Sequence, residues 1–104
     1  MITRFWHGRT KSTDAEIYRD YVINTGIIGL TSTKGNIGAQ IWQRTEKDIA
    51  HIWVVSLWDN YTSLKAFAGD DIERAKYYEE DKKYLLELEP NVQHFDAWDF
   101  RPAV

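Results

Sequence analysis

The sequence predicts an α+β domain whose four strands and two helices run in the order βαββαβ. Three observations lead there. The hydrophobic period switches from alternation to helical spacing and back, twice along the chain. Two apolar, β-branched runs flank "EKD" as a hairpin would. At 104 residues the chain has room for one modest core and no second domain, so residues 1–104 are expected to form a single unit.

Each element has its own signal. Residues 2–9 mix Ile, Phe and Trp with polar neighbours as a strand does, and the run stops at "TKST". Thr13 and Glu16 fit a capping box, and Ile17, Tyr18, Tyr21 and Val22 recur at i, i+1, i+4 and i+5, which predicts an amphipathic helix over residues 13–24. The Gly-, Ser- and Thr-rich "TGIIGLTSTKGNIG" then predicts a long loop. Residues 37–45 and 49–58 are the hairpin strands. In the second, Trp53, Val55 and Leu57 point one way and Ile52 and Val54 the other, so both faces are apolar and both are expected to be covered. Asp59 and Asn60 suit an N-cap, Tyr61, Leu64 and Phe67 mark a short helix, and Gly69 ends it. Asp70 and Asp71 suit a second cap. A broken stripe of Ile72, Ala75, Tyr78, Tyr84, Leu85 and Leu88 predicts further helix as far as Glu89, where Pro90 stops it. "NVQHFDAWDF" is the last strand. This is the ferredoxin-like plait, an antiparallel four-stranded sheet with helices on one face and the other face open.

Composition removes several function classes. The hydrophobic share is 43% and the aromatic share 14%, with five Trp and six Tyr, more ring area than one small core absorbs. Part of it is expected to face a pocket or a partner. A formal net charge of -3 argues against electrostatic binding of nucleic acid or an anionic membrane. With no cysteine, disulfide and thiolate chemistry are absent. "MITRFWHGRT" has no apolar signal core and no run is long enough to span a bilayer, so a cytoplasmic protein is expected.

Within this frame, "SLWDNYTSLKAFAG", "AKYYEED" and "LLELEPNVQHF" resemble the antibiotic biosynthesis monooxygenase family over essentially the whole domain. The resemblance implies a homodimer in which two sheets close a shared dimeric α/β barrel, with a small-molecule cleft between sheet and helices in each subunit. It implies oxidation of aromatic substrates without metal or flavin, so no cofactor is expected. The family also holds a heme-degrading branch, which uses an Asn on the first strand, a Trp on the second helix and a His about ten residues on. With Trp58 as anchor, this sequence has Phe67 and Tyr77 at the last two places, and Phe5 and His7 at the parity of the Asn, which weakens a heme reading. Tyrosine can nonetheless ligate heme iron.

The candidate residues follow from chemistry and resemblance together. The acidic stretch "AGDDIERAKYYEED" has neither calcium-loop nor zinc-site spacing, and no metal is expected. It suits a solvated helix face whose charges pair along the helix. Tyr77 and Tyr78 point about 100° apart on a helix, so at most one need be core and the other is free to face the cleft, as a ligand contact, or the solvent. His94, in the family-like "PNVQHF", and His7 are candidates for proton transfer, and Tyr77 for holding a substrate oxygen; His51 has no such support. Trp6, Phe67 and Tyr78 are candidates for lining the cleft, whereas Trp42, Trp53 and Trp98 are expected in core or dimer interface. The function expected is cofactor-independent monooxygenation of a small aromatic or quinol-like substrate. The alternative is a non-catalytic or stress-related protein that carries a small ligand in the same cleft.

Overall fold

Alternation along the first strand sorts its side chains before any helix packs. Ile2, Arg4, Trp6, Gly8 and Thr10 face one side of the sheet and Phe5, His7 and Arg9 the other. In the computed structural model, which describes residues 1–103, β1 (Ile2–Lys11) pairs antiparallel with β3 (Ile49–Trp58) along its whole length and with β4 (Gln93–Asp96) at its start. β2 (Asn36–Glu46) completes a four-stranded sheet of order β2-β3-β1-β4. This is the predicted ferredoxin-like plait. The hairpin turn between β2 and β3 is closed by Lys47 at φ 55.

Helices cover one face. A 3-10 turn (Ser12–Asp14) leads into α1 (Ala15–Val22), a π turn (Ile23–Ile27) and α2 (Ile28–Thr31). α3 (Tyr61–Ala68) begins at Asn60, whose side chain accepts from the Ser63 N–H, and ends at Gly69 with φ 86. The core forms where these helices meet the sheet: Tyr18, Val22 and Leu30 pack over Ile52, Trp58 and Leu64, all buried. Each such side chain contributes roughly 1.5–3 kcal/mol by leaving water. The Trp58 indole N–H donates to Ser56 Oγ at 2.9 Å, so even the largest buried ring leaves no orphaned donor.

Three expectations are corrected. The capping box does not form: Thr13 lies in the 3-10 turn and no side chain caps α1. The predicted loop after residue 24 is mostly helix. Hydroxyls of Thr25 and Thr31 bond back to carbonyls of Tyr21 and Ile27, and Leu30 is buried, so packing carries the helix through Gly26 and Gly29 to Thr31. The predicted long helix over residues 70–89 is reduced to α4 (Asp81–Tyr84). Here the backbone finds partners outside a helix. Ala75 N–H donates to Pro90 O and Val92 N–H to Glu73 O, both at 2.8 Å, while Leu86 N–H donates to Arg9 O.

The other sheet face has no helix on it. Phe5 sits at its centre with ring centroids 5.8 Å from Trp42, 6.5 Å from Trp53 and 6.2 Å from Phe95. Trp42 is 47% exposed and Phe95 50%, so in one chain much of this aromatic cluster meets water. Trp98 lies beyond β4, 77% exposed, and is no part of the core.

Candidate functional site

A cleft opens on the helix-covered face. Arg4 and Trp6 of β1 and Val54 and Ser56 of β3 form its floor. Tyr18 and Val22 of α1, Leu30 of α2 and Phe67 of α3 stand opposite, and the segment between α3 and α4 closes one side with Lys76 and Tyr78, which Asp81 follows. The free volume is about 50 Å³, a narrow slot for a flat molecule or a few waters. One glycine gives it this shape. A Cβ on Gly29 would stand 2.6 Å from the Tyr78 hydroxyl and 3.3 Å from the Phe67 ring, so only glycine lets both rings approach the helix. The π turn just before it widens the helix along the same wall.

Asp81 organises the inner end. Its carboxylate is buried, accepting from the Tyr18 hydroxyl at 2.8 Å on Oδ1 and from the Tyr78 backbone N–H at 2.5 Å on Oδ2. Burial, and then the Asp81 charge, hold the Tyr18 phenol well above its ordinary range. Tyr78 is raised by the same causes in the same order. Both phenols therefore keep their protons at neutral pH, and Asp81 accepts from the Tyr18 hydroxyl and the Tyr78 backbone N–H.

Arg4 is the charged residue of the floor. Its side chain is buried, and its guanidinium donates to the carbonyls of Ile72 at 2.6 Å and Arg74 at 3.1 Å. The His94 ring lies against it, Nε2 3.1 Å from Arg4 Nη1. Arginine has no acceptor, so Nε2 accepts and His94 is the neutral Nδ1–H tautomer. Burial, and then the Arg4 charge, push the His94 pKa down to about 4. Burial alone lowers Arg4 to about 10, which leaves it a cation at neutral pH.

No protein-family model matches the sequence, and no curated protein matches it. Solved structures match the fold. A candidate antibiotic biosynthesis monooxygenase from Bacillus cereus superposes with a TM-score of 0.66 at 11% identity, over 96% of this chain and 97% of that one. A further antibiotic biosynthesis monooxygenase superposes at 0.56 with 14% identity, over 95% and 100%. The chain has an antibiotic biosynthesis monooxygenase fold. A mutant of MhuD with two manganese protoporphyrin IX molecules bound per active site shares it as well, with a TM-score of 0.62 and 11% identity over 99% of this chain and 100% of that one.

Within this monooxygenase fold the expected site residues part company. Trp6, Phe67 and Tyr78 line the cleft together. Tyr77 does not: it packs edge-on against Trp6 and donates its hydroxyl to the Glu89 carbonyl, and burial followed by the Glu89 and Asp81 charges raise its pKa to about 12. The Trp6 indole N–H is buried without a hydrogen-bond partner. His7 lies on the opposite sheet face, because odd positions of β1 point away from the helices. There Nδ1 meets Glu89 Oε2 at 2.6 Å and Nε2 meets His51 Nδ1 at 3.0 Å. His94 is on the helix side but lines a separate open depression of about 380 Å³ with Tyr61, Ile72 and Val92, outside the cleft. The residues not foreseen are Arg4, Tyr18, Lys76 and Asp81. Arg4 had a sequence signal, its shared parity with Ile2 and Trp6; Asp81 had none.

Proposed function

We propose that the helix-side cleft binds a flat aromatic or quinol-like molecule and that the domain oxidises it with dioxygen without a cofactor. The observation that carries this is the buried Tyr18–Asp81 pair in a slot lined by aromatic and aliphatic side chains together with Arg4, Ser56 and Lys76. A substrate with an acidic C–H beside aromatic rings would give its proton to Asp81 through the Tyr18 hydroxyl, and the substrate anion itself reacts with dioxygen. A methylene becomes a carbonyl and water leaves: one oxygen atom enters the product, the other departs with both hydrogens, and all the electrons come from the substrate. The chain's part is to exclude water, hold the ring between Phe67 and Val54, and take the first proton. Tyr78 is a substrate contact in this reading. His7, His94 and Tyr77 stand away from the reacting atoms.

The working unit in this reading is a homodimer. A second copy placed sheet to sheet would cover Phe5, Trp42, Trp53 and Phe95, which otherwise keep a large aromatic surface in water.

With about 50 Å³ free, against roughly 300–1,000 Å³ for pockets that take drug-sized ligands, the slot suits a small occupant, and the second reading is a protein that carries such a ligand without changing it. Heme does not fit the residues present. None of the histidines lines the cleft, and the Tyr77 hydroxyl is committed to the Glu89 carbonyl.

Aerobic incubation with a panel of anthrone-like and quinol-like compounds, followed by oxygen uptake and product mass, tests the catalytic reading. Stoichiometric oxygen consumption with one atom retained in the product is expected. Tight binding with no oxygen uptake across the panel would leave the carrier reading in its place.

A further inference from the structure

Arg4 is a cation that the protein buries without neutralising. It is 3% exposed, and its three recorded partners are the Ile72 carbonyl, the Arg74 carbonyl and the neutral His94 ring. The ion pairs among the described residues are His7–Glu89, Arg9–Glu87, Arg44–Glu46 and Arg101–Asp99, and Arg4 enters none of them. A buried charge met only by neutral acceptors keeps much of its desolvation cost.

A second cation approaches the same spot. Lys76 Nζ stands 4.5 Å from the centroid of the Phe67 ring and Arg4 Cζ stands 5.8 Å from it, so one cleft-lining ring sits between two positive charges. Lys76 gives a hydrogen to the Phe67 carbonyl, again a neutral acceptor. The one carboxylate lining the cleft, Asp81, has both oxygens occupied by Tyr18 and Tyr78 and pairs with neither cation. The slot thus carries two cations that no carboxylate neutralises, beside a lining that includes Val22, Leu30 and Val54.

We propose that Arg4, with Lys76 at the mouth, holds an anionic oxygen of the cleft ligand, so that the ligand is recognised as a phenolate or enolate. This rests on the cleft being the ligand site. It also narrows the substrate class: the acidic C–H and the oxygen must belong to one conjugated ring system, the C–H toward Tyr18 and Asp81 and the oxygen toward Arg4. When the C–H bond breaks, its proton goes to Asp81 and its electron pair delocalises through the ring onto the oxygen that Arg4 faces. His94 acts as a positioning residue, taking one guanidinium hydrogen without adding charge.

The test uses a nitronaphthol, ionised at neutral pH and coloured as the naphtholate, and its methyl ether as the neutral counterpart. Calorimetry compares their affinities, and absorbance follows ionisation of the bound naphthol. In the wild-type protein the naphtholate should bind about tenfold more tightly than the ether, the scale of a charge-assisted hydrogen bond, and its ionisation should move about one pH unit lower on binding. Arg4→Gln should abolish the preference, Arg4→Lys should keep part of it, and Lys76→Gln should reduce it. Where Arg4→Gln does not fold, the wild-type preference and the response of the exposed Lys76→Gln decide. Equal binding of both probes with unshifted ionisation would overturn the anion assignment and leave the cleft as a site for neutral rings. Binding of neither probe would overturn the cleft itself, and this inference with it.

Discussion

The Tyr18 hydroxyl donates to Asp81 Oδ1 at 2.8 Å, a fully buried bond between residues 63 apart in sequence. It ties α1 to the start of α4 and sets the inner end of the cleft. Replacing Asp81 with Ala leaves the Tyr18 hydroxyl and the Tyr78 N–H without partners, at about 1–3 kcal/mol each. Tyr18→Phe should cost about 1–3 kcal/mol. Urea unfolding of both single variants and the double variant should show a coupling of about 0.5–3 kcal/mol; strictly additive losses would mean the pair does not act as a unit.

Gly29→Ala separates fold from site. Alanine is about 1 kcal/mol better than glycine inside a helix, and the atom its methyl meets is the far end of the Tyr78 side chain, which can swing away. Melting temperature should therefore change little, while binding of a flat aromatic probe falls at least about tenfold as Tyr78 moves. Unchanged binding would remove Tyr78 from the site.

His94 makes stability depend on pH. Its folded pKa, about 4, lies below the ordinary histidine value of 6.5, so between these values the unfolded chain binds more protons than the folded one. The stabilisation is fully present above pH 6.5 and is lost as pH falls toward 4. His94→Gln, whose amide oxygen can still accept from Arg4, should flatten this part of the profile. The same slope in the variant would place the titration elsewhere.

The open sheet face predicts the oligomer. Trp42 is already half exposed in one chain, so Trp42→Lys should leave the protomer folded and break the sheet-to-sheet dimer. Light scattering at micromolar concentration should give a dimer mass for the wild type and a monomer mass for the variant. A monomeric wild type would end the proposal.

Heme with reductant and oxygen should show a stable Soret band and no release of iron. Steady bleaching would mean that Tyr18, Tyr78 or Lys76 serves a porphyrin in a widened cleft.

Much of this was legible locally. Period and turn residues place β1, the β2–β3 hairpin and α3, because alternation, Asn60 and Gly69 act within a few residues of themselves. Trp6, Phe67 and Tyr78 could be marked as cleft residues for the same reason: each combines a large ring with a position on an element facing the helix layer. The segment over residues 70–89 was not legible. Its charges suit a helix, but Arg4 draws on the carbonyls of Ile72 and Arg74, and residues 90–92 bond the backbone beside them. Those partners lie far away in sequence or across a turn, and no window of neighbouring residues contains them. Asp81 carries the same lesson further. An acidic residue opening a short helix is ordinarily solvated, and only the arrival of Tyr18 from the first helix makes it the buried acceptor at the head of the cleft. The sequence by itself determined strand order, the apolar faces and the ring-rich character of the site. Which charges were taken out of water, and hence where the site's chemistry lies, was decided by the tertiary structure, because burying a charge depends on partners that only the folded chain brings together.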